Sequence, residues 1–508
     1  MRRALSLLLS VVLVVTVLPT TNTVFGQSSG DIEVIELRTE YTDNPLGIDV
    51  TEPRLSWKLV SSERGQYQTA YQIQVASSES QLLEDNPDMW DTGKVESDQS
   101  VNIVYEGEPL KSGERYFWRV KVWDKYGKNP SEWSDPAWWE MGLLDDSDWQ
   151  AEWIGLEGDY GVPINNTDQN TPAKLEEGHT LGQSFTMNGM FTAVSLRTPT
   201  WWATDSALTL TLYREGPQGE VLAQERFTDV VNDSWLTFQL EEPLPSGKYY
   251  LEASDPKGDI GWYSHSDDVY AGGTAFEDGE PVNGDRTLRV EALSAPPSLI
   301  RKEFTVEKPV ERARLYSTAL GVYEPHINGE RVGKDLFTPG WTDYNKRIQY
   351  QTYDVTELLR TGKNAIGSLL GDGWYAGHVA HLGTKVYGSQ PYLLMQLKID
   401  YKDGSSETIV SDASWQTAEG PIKSSDILMG ETYDARDELP GWDSPGFEAA
   451  EWDPVKVRSE EVSGKLVAQA APTVQVTEEI KPVEITEPEP GTYVFDLGQN
   501  MVGNVRLK

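Results

Sequence analysis

Apolar residues recur at every second position along most of this chain. Tyr71, Ile73 and Val75 alternate with Gln72 and Gln74, and Tyr116, Trp118, Val120 and Val122 alternate with Phe117, Arg119 and Lys121. The same beat returns in Leu208, Leu210 and Leu212, in Leu236, Phe238 and Leu240, and in Leu393, Met395, Leu397 and Ile399. A period of two puts one set on a core face and the other outside, which predicts half-buried strands. Turn chemistry separates these runs: the loop at 124–130, Pro245-Ser246-Gly247, Asn328-Gly329 and Asp403-Gly404. Asn328-Gly329, set between His326-Ile327 and Glu330-Arg331-Val332, predicts a type I′ hairpin. Only residues 356–360, ahead of Gly362, read as a helical turn. The fold class is therefore all-β, built as tandem β-sandwiches.

The spacing of strands and turns divides the chain. Residues 31–144 read as a fibronectin-III-like sandwich, closed by Trp133, Trp138 and Trp139. A polar loop at 156–176 opens a second module, 156–296, whose strands predict a jelly-roll-like insert. Ala295-Pro296-Pro297-Ser298 marks a boundary, and a third β-sandwich runs over 297–457. From 458 to 508 the composition thins, with Pro472, Pro482, Pro488 and Pro490 spacing the strand-like runs 474–476 and 493–495. This tail reads as the start of a further β-domain, left incomplete.

The N-terminus follows a different pattern. Arg2 and Arg3 precede an apolar run from residue 4 to 18, with Gly26 at the expected cut. A run this short falls below the roughly 20 residues of a comfortable membrane span. Residues 1–26 thus read as a secretory signal peptide cleaved after Gly26, which predicts an extracellular, secreted protein with no membrane insertion of the mature chain.

Composition narrows the function. The 508 residues carry 43 Lys+Arg against 81 Asp+Glu, a net charge of −38. That balance argues against nucleic acid as a partner, because displacing counterions takes basic residues. There are no cysteines, which removes disulfides, thiolate metal sites and a Cys nucleophile together. No phosphate loop or dinucleotide fingerprint is present, and His378 and His381 lack the zinc-site pattern.

Several motifs, in order, resemble those of bacterial α-L-rhamnosidases. Pro53-Arg54-Leu55-Ser56-Trp57 and Glu114-Arg115-Tyr116-Phe117-Trp118-Arg119-Val120 resemble that family's opening sandwich, and Trp149-Gln150-Ala151-Glu152-Trp153-Ile154-Gly155 its exit segment. Pro339-Gly340-Trp341-Thr342-Asp343-Tyr344, Gly371-Asp372-Gly373-Trp374-Tyr375-Ala376-Gly377 and Gly430-Glu431-Thr432-Tyr433-Asp434-Ala435-Arg436 resemble its N-terminal β-domain. Asp496-Leu497-Gly498-Gln499-Asn500-Met501-Val502-Gly503 resembles the start of the next one. The resemblance implies a glycoside hydrolase that removes terminal rhamnose with inversion, so its partners would be rhamnose-containing glycans or rhamnosides. It also implies that the catalytic α/α toroid lies outside this chain, whose 508 residues lack the toroid's Asp-Cys-Pro signature. On this reading the chain holds no catalytic residue and is the truncated front half of the enzyme. The alternative is a stand-alone extracellular carbohydrate-binding or surface protein without catalysis.

Glycoside hydrolysis needs two placed carboxylates. Glu431, Asp434, Asp437 and Glu438 cluster in sequence, and Asp343 and Asp372 sit in Trp/Gly loops, but so acidic a chain supplies such clusters by composition alone. Sugar binding is the sharper reading. Trp201 and Trp202 lie between two predicted strands, and Trp262 and Tyr263 precede Asp267 and Asp268 in a turn. Loops of a jelly roll gather at its ends, so these aromatics are expected to converge as a stacking surface, with Asp267 and Asp268 meeting hydroxyls directly or through Ca²⁺. No other cofactor is implied. The same aromatics would equally serve as caps on a core.

Overall fold

The computed structural model describes residues 32–506; the signal-peptide segment lies outside them. Strands dominate. The helices are the short Glu79–Leu83 and Gly373–Ala376, with a few 3₁₀ turns that include Thr356–Leu358. No helix among the described residues is long and apolar enough to cross a membrane.

The chain divides into two compact units. The first is a β-sandwich, in keeping with the alternation read above. One sheet pairs Ile32–Thr39, Arg54–Ser61 and Ile103–Val104, and the other carries Ala70–Ala76 between Trp90–Asp91 and Arg115–Trp123. Their inner faces bury Trp57, Ile73, Val75, Trp118, Val120 and Trp139. Trp57 meets Tyr71 edge to face at 5.4 Å and donates its indole N–H to Gln68 at 3.0 Å, which satisfies the one polar atom of a buried indole. Trp133 and Trp138 lie beneath Arg119 and Arg115 at 4.3 and 3.9 Å, so they serve packing.

The second unit holds the other two sandwiches. In the inserted module, an antiparallel sheet of Ile164–Asn166, Leu288–Ala292, Phe191–Thr198 and Ser234–Leu244 faces one of Val221–Phe227, Ala207–Arg214, Gly247–Lys257, Leu181–Met187, Ala275–Glu277 and Glu280–Val282. The alternating Leu208, Leu210 and Leu212 are fully buried against Phe185, Phe191, Tyr249 and Leu251. Beside this apolar core runs a polar one. Arg286 is 2% exposed and donates from Nε to the Gly182 carbonyl at 3.1 Å, from Nη1 to Ser264 Oγ at 3.0 Å and from Nη2 to the Phe276 carbonyl at 2.8 Å. Its neighbour Asp285, equally buried, accepts from Gln183 Nε2 and from the Val269 and Tyr270 amides.

The third sandwich packs a sheet of Glu330–Arg331, Val322–Ile327, Gly362–Gly371, Ser298–Val306, Gln416–Glu419 and Asp453–Pro454 against one centred on Tyr392–Tyr401, Val310–Leu320 and Arg347–Asp354. Ile300, Leu315, Leu370, Leu397 and Trp415 fill the space between. The predicted hairpin at Asn328-Gly329 forms, with φ of 54° and 87° at the two central residues, the left-handed pair a type I′ turn requires.

Two expected boundaries move. Ile154–Gly155 pairs with Tyr392–Tyr401, so the third sandwich has a strand on the N-terminal side of the insert. Lys465–Ala468 runs parallel to Arg347–Asp354, and Val474–Gln475 pairs with Asp335–Leu336, so the third sandwich continues past residue 457. Sequence alternation cannot reveal either, because strands of two to four residues are too short to show a period. The remaining tail forms the hairpin Glu484–Glu489/Thr492–Asp496, whose Ile485, Tyr493, Val494 and Phe495 are each at least half exposed.

Candidate functional site

The inserted module carries a strained aromatic turn at the end of strand Phe191–Thr198. The Thr200 amide donates to Asn232 Oδ1 at 2.8 Å, and the Ala203 amide donates back to the Thr200 carbonyl at 2.9 Å. These bonds fix a tight turn in which Trp201 and Trp202 both adopt left-handed backbone, φ 46° and 71°. Bulky side chains rarely occupy that region, at a cost of order 1 kcal/mol each, and such strain concentrates at binding sites. Trp202 is 84% exposed, and Trp201, 41% exposed, rests against Gly261. The Gly261 amide donates to the Pro199 carbonyl at 3.0 Å, and a side chain at Gly261 would strike the Trp201 ring. Lys174, paired with Asp259 at 2.7 Å, lies 5.8 Å from that ring. The 199–204 turn thus meets the start of strand Gly261–His265.

Two expectations about this site fail. Trp262 is fully buried in the core and donates its indole N–H to the Thr287 carbonyl at 2.7 Å, so it cannot stack on a sugar. It belongs to a strand, not to a turn, and its alternation points it inward. Asp267 and Asp268 are exposed but lie beyond the far end of strand Gly261–His265 from Trp201, about 15 Å away at 3.3 Å per strand residue. No group of three or more His, Asp or Glu side chains able to hold a metal occurs among the described residues. Tyr263 stays at the surface, half-buried, with the Arg197 guanidinium 5.5 Å from its ring.

Sequence reasoning missed the rest of this face. On the outward side of the four-stranded sheet, Arg197 stands opposite Trp235, and Arg289 stands opposite Ser195 and Asn165. The Arg289 guanidinium lies 4.0 Å over the Trp235 ring and its Nε donates to Asn165 Oδ1 at 2.9 Å. Arg197 pairs with Asp233 at 2.8 Å. Both arginines occupy polar positions of alternating runs, where an outward charge looks ordinary until register sets the two side by side.

In the third sandwich three of the four clustered carboxylates are engaged by neighbours, while Glu431 is exposed. Asp434 is held by Arg436, Asp437 by Lys423 at 2.7 Å, and Glu438 accepts from the Tyr433 hydroxyl at 2.7 Å. Asp343 pairs with Lys346 at 3.0 Å. A cleft of 410 Å³, which the sequence did not signal, is lined by Tyr323, Glu324, Arg331, Phe337 and Glu431 from separate segments. Trp341 stacks on Trp374 at 5.2 Å nearby in sequence motifs already noted, half exposed.

Asp372 is the most perturbed acid of this sandwich. Burial pushes its carboxyl up to about 7; Lys385 opposes that rise and Asp426 adds to it. Burial likewise lowers the Lys385 ammonium to about 8, with Asp372 acting against it. Lys385 Nζ donates to the carbonyls of Gly161 at 2.8 Å and Leu293 at 2.6 Å, so its task is structural. Because the folded-state value of Asp372 lies above the ordinary aspartate value of about 3.9, the folded chain holds the extra proton between the two. Its contribution to stability is thus present at low pH and is lost as pH rises through about 7. Asp372→Asn is expected to reduce the loss of stability between pH 5 and pH 8 by about 1–2 kcal/mol. Urea unfolding of both proteins at the two pH values measures this; equal losses would show that Asp372 is already ionised at pH 5.

Residues 34–145 match the family described as the Rha78A-like, N-terminal immunoglobulin domain, and residues 308–478 match the alpha-L-rhamnosidase N-terminal domain. A curated alpha-L-rhamnosidase from Streptomyces avermitilis is 39% identical over 94% of this chain, which spans 50% of that protein. The crystal structure of the Streptomyces avermitilis alpha-L-rhamnosidase complexed with L-rhamnose superposes with a TM-score of 0.67 at 36% identity, covering 93% of this chain and 49% of that one. The alpha-L-rhamnosidase from Dictyoglumus thermophilum gives 0.61 at 31% identity, covering 92% and 38%. The chain thus spans about half, or less, of the length of these relatives.

Proposed function

The chain belongs with the N-terminal part of the α-L-rhamnosidases, and from that premise we propose that it is the non-catalytic front of an exported enzyme that hydrolyses terminal α-L-rhamnosides. Its share of the work is to scaffold the enzyme and to hold rhamnose-containing glycans through the inserted module. The observation that carries this reading is the alignment of 94% of the chain, through both N-terminal domains, with about half of a curated relative. The paired state of Asp434, Asp437, Glu438 and Asp343 supports it, since none is left as an unengaged acid or base.

Glycan binding rests on the strained turn. Two consecutive tryptophans in left-handed backbone, one of them 84% exposed, keep apolar ring surface in water at a conformational cost. A pyranose ring stacked on Trp202 would remove that surface from water, with Asn232 and the exposed Asp205 in the same turn region to meet hydroxyls.

The purified 508-residue chain is expected to release nitrophenol from 4-nitrophenyl α-L-rhamnopyranoside no faster than a heat-killed control. Turnover well above that control would overturn the non-catalytic assignment. In the same preparation, L-rhamnose or a rhamnose-containing oligosaccharide should quench or shift tryptophan fluorescence saturably, and Trp202→Ala should weaken this at least tenfold. Unchanged affinity in Trp202→Ala would remove the turn from the binding surface.

A further inference from the structure

We propose that the outward face of the insert's four-stranded sheet binds an acidic sugar, a uronate or a sulfate-ester sugar, through the paired guanidiniums of Arg197 and Arg289. The two residues sit on adjacent strands, diagonal to each other on one face, because Ser195 pairs with Arg289 and Arg197 follows two positions on. Diagonal neighbours of this kind are about 7–8 Å apart, within reach for long side chains. Like charges so placed repel, and Arg289 is held below the usual arginine range by burial and by the charge of Arg197. An anion between them would convert that repulsion into two attractions.

Each guanidinium is also held ready. Arg289 lies 4.0 Å over Trp235 and donates from Nε to Asn165; Arg197 lies over Tyr263 and forms an ion pair with Asp233 without a hydrogen bond from Nε. A ring beside each guanidinium restricts it while leaving its Nη groups available to a ligand. Among the described residues neither Arg197 nor Arg289 makes a further hydrogen bond through its Nη atoms to an acceptor. A carboxylate or sulfate takes such an edge with two parallel N–H···O bonds. The carboxylates on this face include Asp233, on Arg197, Glu291, two positions from Arg289 on its strand, and the exposed Glu241 on the strand of Trp235. In a chain of net charge −38, this pair is a local exception, and an acidic ligand would find little else to attract it.

The face is continuous with the aromatic turn. Arg197 lies four residues before Trp201, and Tyr263, under Arg197, lies two residues after Gly261, against which Trp201 packs. A glycan chain could therefore place a neutral ring on Trp202 and an acidic neighbour on the arginines. This inference goes beyond the proposed function by naming a charged component of the ligand, and it rests on that reading only for the adjoining ring.

The test uses the full chain and three probes titrated calorimetrically: tetragalacturonate, a sulfated galactan fragment, and L-rhamnose. At least one acidic probe is expected to bind, with Arg289→Gln and Arg197→Gln each weakening it about tenfold and leaving L-rhamnose affinity unchanged. Arg289→Lys, which keeps the charge but loses the fork, should recover only part of the affinity. Which acidic probe responds tells carboxylate from sulfate ester. If neither acidic probe binds, or if the arginine variants bind it as the parent does, the inference is overturned. Loss of L-rhamnose binding in Trp202→Ala alone, with acidic binding unaffected by any arginine change, would sink this inference and leave the aromatic turn standing.

Discussion

Arg286→Met in the full chain is expected to lower the stability of the inserted module by about 3 kcal/mol. The guanidinium is 2% exposed and feeds three acceptors, the Gly182 and Phe276 carbonyls and Ser264 Oγ. Methionine fills the space but donates nothing. Each buried acceptor left alone costs about 1–3 kcal/mol, and that loss is offset in part because a desolvated charge is no longer buried. Glu277, its ion-pair partner at 3.5 Å, is more than half exposed, so the variant leaves no buried carboxylate unpaired. Burial already holds Arg286 below the usual arginine range, which marks how strongly the site depends on those bonds. Hydrogen exchange should speed in Leu181–Met187 and Ala275–Glu277, the two strands the side chain joins, while the first unit keeps its protection. Unchanged exchange in both strands would mean that water replaces the guanidinium without loss.

The second large effect separates two tryptophans the sequence could not tell apart. Trp262→Ala is expected to cost about 3–5 kcal/mol, as truncation of a fully buried aromatic does. The cavity would open among Leu288, Val290 and their neighbours, and the Thr287 carbonyl would lose the indole donor. Trp202→Ala should stay within about 0.5 kcal/mol of the parent, because the ring is 84% exposed. Thermal unfolding followed by near-ultraviolet circular dichroism reads both. A small effect of Trp262→Ala would place that ring outside the core; a large effect of Trp202→Ala would give the turn a structural role instead of a binding one.

Strands long enough to show their period were legible. Leu208, Leu210 and Leu212, or Tyr116, Trp118, Val120 and Val122, announced their buried faces, and Asn328-Gly329 announced its hairpin. Strands of two to four residues were not, so Ile154–Gly155 and Lys465–Ala468 slipped across the expected boundaries. At the candidate site, Trp201 and Trp202 were legible as a turn, since Pro199-Thr200 precedes them. Trp262 was misread because Gly261 looked like a turn residue; it is instead the start of a strand where the Ala173 carbonyl of the neighbouring strand leaves no room for a side chain. The arginine pair was invisible for a different reason. Residues 197 and 289 meet only through a register that no local pattern encodes.

The grip of Lys385 on the Gly161 and Leu293 carbonyls says something about descent as well as stability. One ammonium holds the incoming and outgoing chain of the module side by side, and Tyr160 also bridges to Met190 there. To the host sandwich, more than 130 residues between those carbonyls act as a short turn. Closing the host's chain therefore costs almost the same whatever the intervening length. Replacing the module by a few linking residues is therefore expected to leave the host's own strands in register.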